Sequence, residues 1–360
     1  MQNGCVSMKK KVTIQDIADA LGISRNTVSK AINNSEGLAD ATRERILQKA
    51  VEMGYKQFSY VATLSNIQAV PEAEPEATGF VGEIALFTTA FLTQSHFAST
   101  MLDKFQHEIT GLGYSMTMHR VTSDNLRDLT FPASFNKERT VGIICVEMFN
   151  LKYCEMLGCL DLPLLFVDGP VESHEKQLAG DILMMDNSSG IYQLISNMKA
   201  RGVKKIGFVG QANHCRSFFE RYMAFRNAMY LNNLPIDEKF CLVDIHQHGP
   251  DYFSNLFNVF SKLDELPELI ICANDFIAID IVNCLKIMGK SYPDDMMICG
   301  FDDSAESKVM TPALTTCHIH SQAIGYTAAN LLLSRIEQPD LNYRTVYTET
   351  NLIYRASTRD

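Results

Sequence analysis

The segment ISRNTVSK at 23–30 concentrates side chains able to read the edge of a DNA base. Arg25 presents two parallel N–H groups that match guanine O6 and N7, and Asn26 can donate and accept as adenine N6 and N7 require. Lys30 follows about one turn later as a further donor. The hydroxyls of Thr13, Ser24, Thr27 and Ser29 suit phosphate oxygens, which fix register without reading sequence; Asn33 completes the candidate set. Other chemistry is poorly represented. His246 with His248, and His318 with His320, alternate as strand neighbours do, so each pair could face a zinc ion; no third ligand stands at a signature spacing. No Gly-x-Ser-x-Gly, phosphate-cradling Gly-x-x-x-x-Gly-Lys or Gly-x-Gly-x-x-Gly occurs. The expectation is a protein without cofactor, metal or catalytic site.

Two short helices must present those donors. Ile14, Ile17, Ala18 and Leu21 recur at helical spacing after Thr13, a capping residue with Asp16 three positions on. Gly22 follows, where a left-handed residue ends a helix, and Ile23 can plug the core. Ser24 then caps a second helix whose Val28, Ala31 and Ile32 form one apolar face. A tight glycine turn between two helices is a helix-turn-helix, and its second helix would enter the major groove N-terminus first. The same spacing also fits a helical hairpin inside another kind of domain. A third helix over 41–53, with Ile46, Leu47, Ala50 and Val51 on one face, would complete a three-helix head.

The string VTIQDIADALGISRNTVSKAIN (12–33), followed by TRERI (42–46) and EMGY (52–55), resembles the head of the lactose-repressor (LacI/GalR) family. The resemblance places base reading on Arg25, Asn26 and Lys30, and the domain on residues 8–56, with Met8 as the family-like start and residues 1–7 as an extension. It also implies a hinge that folds on DNA and wedges a leucine into the minor groove. Leu64 stands at that spacing; an exposed linker leucine is the alternative. Two departures stand out. Ala39 replaces a capping serine, with Asp40 as the substitute, and Gln57, Phe58 and Val61 replace the usual hinge residues.

The whole chain has 360 residues, 46% of them hydrophobic and 21% charged, with a formal charge of −10. Residues 1–56 carry nine Lys and Arg against six Asp and Glu, whereas the remainder carries 23 against 36. A basic head on an acidic body fits a chain that meets phosphate at one end only. Ten cysteines scattered singly through apolar runs read as reduced buried thiols. No membrane span or secretory leader is expected, which points to the cytoplasm. Residues 57–78 read as hinge and linker; 65–78, with two prolines and three glutamates, form a solvated spacer.

From residue 79, apolar runs alternate with amphipathic stretches. Strands are expected at 83–88, 115–121, 141–146, 164–167, 206–209, 242–245, 269–273 and 297–300. Helices are expected at 97–112, 190–201, 219–232, 251–262, 277–288 and 324–335. Such alternation builds parallel sheets covered on both faces, and ligands bind beyond the carboxyl ends of the strands. The fold class is therefore α/β, a three-helix head with a two-lobed, doubly wound body.

MDNSSG (185–190), KKIGFVG (204–210), ERYMAFRNA (220–228), CANDFIAI (272–279), CGFDD (299–303), PALTT (312–316) and LIYRAST (352–358) resemble the same family's periplasmic-binding-protein-like core. The resemblance implies lobes of 79–183 with 316–342 and of 184–315 with 343–360. By motif it places an effector site on Arg221, Asn274 and Asp302, with Ser95 and Phe97 from the first lobe and Phe276 beside them. Arg, Asn and Asp can satisfy several sugar hydroxyls at once, and Phe offers a stacking face. Each has a plainer reading: Asn274 or chiefly Asp275 as a helix cap, Asp302 as a turn residue, Arg221 paired with Glu220. Gly169 and the His318-to-His320 segment depart from the family pattern, and no tryptophan is present for stacking. The implied function is a dimeric transcriptional regulator, a repressor, binding a pseudo-palindromic operator under control of a small effector such as a sugar. Control by a protein co-effector, as in the catabolite-control branch, is the alternative; a free-standing binding protein or enzyme is the remote one.

Overall fold

The computed structural model describes residues 13–32, 42, 45, 46, 49, 53, 80–89, 97–245 and 251–359. Asn33, Leu64, Ser95, His246, His248, the 39–40 cap, the linker and most of the third helix therefore lie outside the described residues. The chain divides into two compact units, 1–77 and 78–360.

In the first unit, α1 (Ile14–Leu21) begins at Thr13, whose hydroxyl accepts from the Asp16 amide at 3.3 Å while Asp16 Oδ2 accepts from the Thr13 amide at 2.8 Å. This reciprocal cap satisfies two donors that a helix start otherwise leaves unpaired. Gly22 ends the helix at φ 65°, a conformation in which a side chain is strained. α2 (Arg25–Ile32) starts on Ser24, whose Oγ accepts from the Thr27 amide at 3.1 Å. Ile17, Ala18, Val28, Ala31 and Ile46 are buried together. Thr42, Arg45, Ile46 and Lys49 are helical, so the third helix contributes Ile46 to that core.

The second unit holds two parallel sheets. Lobe 1 contains β1 (Gly82–Thr88), β2 (Tyr114–Arg120), β3 (Thr140–Val146), β4 (Leu164–Val167) and β5 (Asp181–Met185), with helices α3 (Ala98–Thr110), α4 (Ser123–Asp128) and α5 (Leu151–Gly158). Lobe 2 contains α6 (Ser189–Ala200), β6 (Ile206–Val209), α7 (Arg216–Leu231), β7 (Cys241–Leu242), α8 (Tyr252–Phe260), β8 (Leu269–Cys272), α9 (Asp275–Ile287), β9 (Met297–Cys299) and α10 (Ala305–Val309). The chain returns through β10 (Thr316–Ile319) to α11 (Ser321–Glu337) and β11 (Thr345–Thr348), then crosses again through β12 (Thr350–Ile353). The lobe 1 sheet runs β11-β5-β4-β3-β1-β2 and the lobe 2 sheet β7-β6-β8-β9, every pairing parallel.

Alternate residues of the lobe 1 strands face different layers. Ile84, Leu86, Ile144 and Val146 pack under α3 and α11, whereas Ala85, Phe87, Ile143 and Cys145 pack under α5. Both faces are apolar, so these strands read as continuous hydrophobic runs, as a sheet covered on two sides requires.

Three crossings join the lobes, two of them paired as the antiparallel ribbon β10–β12. The lobes divide differently from expectation. β5 reaches Met185 and β11 pairs with it through Thr345–Ile182 to Thr348–Met185, so 184–185 and 343–348 belong to lobe 1. Asp181 anchors this edge: it is fully buried and accepts from Arg335 Nη2 at 2.8 Å and Arg344 Nη2 at 2.6 Å. Sequence reading passed over β5, although its apolar run Ile182–Met185 is buried throughout, and over the four-residue β10, β11 and β12, none of which carries such a run. α7 begins three residues earlier than expected, at Arg216, and 243–245 is not strand.

The nine described cysteines are free, and burial pushes the Cys145 and Cys272 thiols well above their usual range. No helix among the described residues is long and apolar enough to cross a membrane.

Candidate functional site

Arg25, Asn26 and Lys30 are exposed on α2, while Val28 and Ala31 point into the core of the head. The exposed face of α2 is thus set by which residues the head buries. The hydroxyls divide unevenly. Thr13 donates to Asp16 Oδ2 at 2.7 Å, and Ser24 and Thr27 share a 2.8 Å hydrogen bond. Thr13 can donate to a phosphate only by releasing Asp16, so its main part is the cap.

A second candidate site lies between the lobes, where strands of both sheets end. Glu147 follows β3, Asp168 follows β4, and Asp302 and Asp303 lie just past β9; all four have positive φ, at 55°, 62°, 116° and 57°. Non-glycine residues in such conformations cost of the order of 1–3 kcal/mol each and gather at ligand sites.

Arg221 of α7 lies at the centre, 3% exposed. Its Nε donates to Asn187 Oδ1 at 2.9 Å and its Nη1 to the Ala273 carbonyl at 2.7 Å. The guanidinium lies over the Phe301 ring, 3.6 Å from the centroid, and Nη1 is 3.8 Å from Asp302 Oδ1. Asn187 is held in turn by Glu220 Oε2, which accepts from its Nδ2 at 2.8 Å. Burial pushes the Asp302 carboxyl up to about 8; Arg221 opposes that shift, and Asp275 and Glu147 reinforce it. Burial also raises Asp168, against hydrogen bonds from the Gly169 and Ser217 amides at 2.7 and 3.2 Å. Lobe contacts close around this group: the Arg216 amide donates to the Gly169 carbonyl at 2.9 Å, and the Phe149 and His214 rings meet edge to face at 5.1 Å.

The arrangement is a cleft lined by fixed carboxylates around one buried guanidinium. It suits directional binding of a small polar molecule. Among the described residues, no group of three or more His, Cys, Asp or Glu side chains could hold a metal ion. His318 instead pairs with Asp303 Oδ2 at 2.9 Å, and its ring stands edge to face with His320.

A sequence model of the lacI family of bacterial regulatory proteins matches residues 13–57, and one of the periplasmic binding protein-like domain matches 195–358. This chain belongs to the LacI family. A curated relative, the HTH-type transcriptional repressor PurR of Actinobacillus pleuropneumoniae serotype 3 (strain JL03), is 26% identical over 356 residues, covering 97% of this chain and 98% of the relative. Among solved structures, the transcriptional regulator CelR–cellobiose complex superposes with a TM-score of 0.67 at 18% identity, over 96% of this chain and 100% of that one. The lac repressor dimer bound to operator and the anti-inducer ONPF gives 0.61 at 18%, over 97% and 99%.

Within this LacI-family chain, the structure brings Arg221 and Asp302 together at the cleft. Asn274 sits at the same strand ends with a different duty. It is the extended residue capping α9, and its Oδ1 accepts from the Ile277 amide at 2.9 Å. Sequence reading gave that cap chiefly to Asp275. Asp275 is instead fully buried and accepts from the Ser304 amide at 2.8 Å and Thr316 Oγ1 at 2.7 Å; Gly300 makes room, since a Cβ there would lie 2.1 Å from Asp275 Oδ1. The cap engages one lone pair of Asn274 Oδ1 and leaves its Nδ2 group for a ligand. Phe276 is 36% exposed, and Phe97 packs on the lobe 1 core at the start of α3. Arg221 does not pair with Glu220, which binds Arg216 Nε at 2.9 Å. Asn187, Phe301, Glu147 and Asp168 were not foreseen. Asn187 and Phe301 lie inside strings that carried the family resemblance, but nothing in their spacing pointed to Arg221.

Proposed function

We propose that this protein is a sequence-specific DNA-binding transcriptional repressor whose operator affinity is set by a small polar effector, a sugar or sugar derivative, bound between the two lobes. The exposed Arg25, Asn26 and Lys30 on a doubly capped helix pair carry the reading. Two copies pair through the body, so that two heads meet the halves of a pseudo-palindromic operator in successive major grooves. Support for that assembly comes from the likeness to the lac repressor dimer, and support for a sugar effector from the likeness to CelR with cellobiose. The protein acts in the cytoplasm, where its DNA target lies, and catalyses no reaction.

The effector works through its different affinity for two lobe arrangements; coupling of this kind is commonly about 1–3 kcal/mol. Arg221, Asp302 and the Asn274 amide contact it from lobe 2, and Phe97 approaches from lobe 1. A ligand touching both lobes favours one angle between them, and that angle sets the spacing of the heads in the dimer. Selection of bound duplexes from a random library, at fixed near-physiological salt, tests the reading. An enriched two-fold symmetric site supports a dimeric reader; weak, salt-sensitive binding without enrichment overturns it.

A further inference from the structure

We infer that a second ligand site lies at the lobe junction, on a face of α7 that excludes Arg221, and that it takes a small organic ammonium ion. It goes beyond the effector reading above and does not depend on it.

A cavity of about 630 Å³ opens there, within the range of roughly 300–1,000 Å³ usual for small-molecule sites. Both lobes build it. Phe219, Glu220, Met223 and Asn227 recur at three- and four-residue spacing on α7, so they share a face, and Arg221 falls outside it. Tyr192 comes from α6, Tyr347 from the edge strand β11, and His174 from the turn after β4. Asp186 and Glu349 stand on two of the crossings between the lobes. Carboxylates at 186, 220 and 349 and rings at 192, 219 and 347 thus meet from separate stretches of the chain. Two of the rings are fixed before anything binds. Tyr347 is held through its hydroxyl between Glu220 and Arg216, and Phe219 lies 4.9 Å from the His174 ring.

Charge and aromatic surface together decide what fits. Arg216 donates to Glu220 Oε1 at 2.9 Å and so offsets one of the three negative charges. The other two carboxylates meet neutral donors, which add no counter-charge. Asp186 Oδ1 accepts from the Ser188 and Ser189 amides at 2.9 and 3.1 Å, and Glu349 Oε1 accepts from Asn351 Nδ2 at 3.2 Å. Among the described residues that line the cavity there is no lysine or arginine. His174 adds no positive charge at neutral pH, because burial and Arg216 lower its pKa, with Glu220 opposing. An anion would be repelled. A neutral ring could stack, but it would leave the surplus negative charge unanswered. An ammonium ion answers both features. Its charge faces Asp186 and Glu349, and its methyl or methylene groups lie against the negative faces of the rings.

One relay joins this site to the cleft. Glu220 Oε2 accepts from Asn187 Nδ2 at 2.8 Å, and Asn187 Oδ1 accepts from Arg221 Nε at 2.9 Å. A cation drawn to Glu220 therefore bears on the group that holds Arg221.

The test is calorimetry on the full-length protein near pH 7 at constant ionic strength. The probes are choline, putrescine and spermidine, with the neutral carbon analogue of choline and butanediol as uncharged counterparts. The expected result is one cation per chain, held about 10- to 100-fold more tightly than its counterpart, as a charge-assisted contact over aromatic faces implies. A preference for choline or for the amines supports the site either way and names the ammonium it takes. Glu349→Gln and Tyr192→Leu, each checked for an unchanged melting temperature, should weaken that cation about fivefold, whereas Tyr192→Phe should retain it. Equal affinity for a cation and its neutral counterpart overturns the assignment. So does equal displacement by potassium ion, which would reduce the cavity to an acidic patch. Binding that survives both Glu349→Gln and Tyr192→Leu also overturns it, since the cation would then sit elsewhere. None of these results touches the operator selection that tests the repressor reading.

Discussion

Tyr347, on the edge strand of lobe 1, donates to Glu220 Oε1 on α7 of lobe 2 at 2.8 Å and accepts from Arg216 Nη2 at 3.0 Å. With the Arg216–Glu220 pair this makes a closed triangle across the lobe boundary. Arg216 and Glu220 belong to one helix, so only Tyr347 reports the position of the other lobe. It is 49% exposed, which limits the worth of the contact to about 1 kcal/mol. Tyr347→Phe should therefore shift the balance of lobe arrangements by about fivefold. Operator affinity without effector should change within that range while the preferred sequence stays the same. An unchanged affinity in binding titrations would mean that the triangle does not discriminate between the two arrangements.

Arg25→Ala should cost about 1–3 kcal/mol at one base pair of each half-site and relax the preference there. Lys30→Ala tests the neighbouring position in the same way. Selection with each variant reads the outcome directly. A uniform loss across all sequences, with a shallower salt dependence, would reassign the side chain to phosphate.

Arg221→Ala should leave operator recognition intact and abolish the effector response, since the head and the cleft lie in separate compact units. It also strips Asn187 of its donor and Asp302 of its nearby cation. A fall in melting temperature is expected alongside, so Arg221→Lys is the companion variant. It keeps the charge but loses the flat contact on Phe301 and the two-way hydrogen bonding. A normal effector response in both variants removes Arg221 from the site.

His119 supplies a pH dependence. Its side chain is fully buried among Phe87 and Phe135, Nδ1 bonds Ser134 Oγ at 2.9 Å, and Nε2 has no partner. Burial lowers its pKa from the ordinary 6.5, with Glu83 opposing. The unfolded chain therefore takes up the proton first as pH falls. The stability this group contributes is complete above about 6.5 and is lost as pH drops through the lower folded value. Melting temperature should fall with acid in that window, and His119→Phe should flatten the dependence. An equal slope in the variant would assign the acid sensitivity to other groups.

Local physics was legible in the sequence wherever one residue or one period decides the outcome. Thr13, Asp16, Gly22 and Ser24 fix two helix starts and one stop through short-range hydrogen bonds and a left-handed turn, and the structure has them so. The long apolar runs of β1, β3, β4, β6 and β8 announced themselves because burial on both faces leaves no polar positions. β11 did not, for its burial alternates between exposed and intermediate at a sheet edge, and only pairing with β5 makes it a strand. Its place moved the lobe boundary as well.

The cleft divides in the same way. The sequence by itself determined the class of protein, the exposed face of α2 and the presence of Arg221 and Asp302 in strings that carry the family likeness. Only the tertiary structure decided that Asn274 rather than Asp275 caps α9, because both can cap and the choice turns on which one Ser304 and Thr316 surround. It alone joined Asn187, 34 positions away along the chain, and Phe301 to Arg221. It alone left Asp302 without a hydrogen-bond donor to its side chain among the described residues, Arg221 Nη1 standing 3.8 Å away. Spacing along a chain fixes what neighbours share; which distant groups a buried charge meets, or fails to meet, depends on how two lobes close over it.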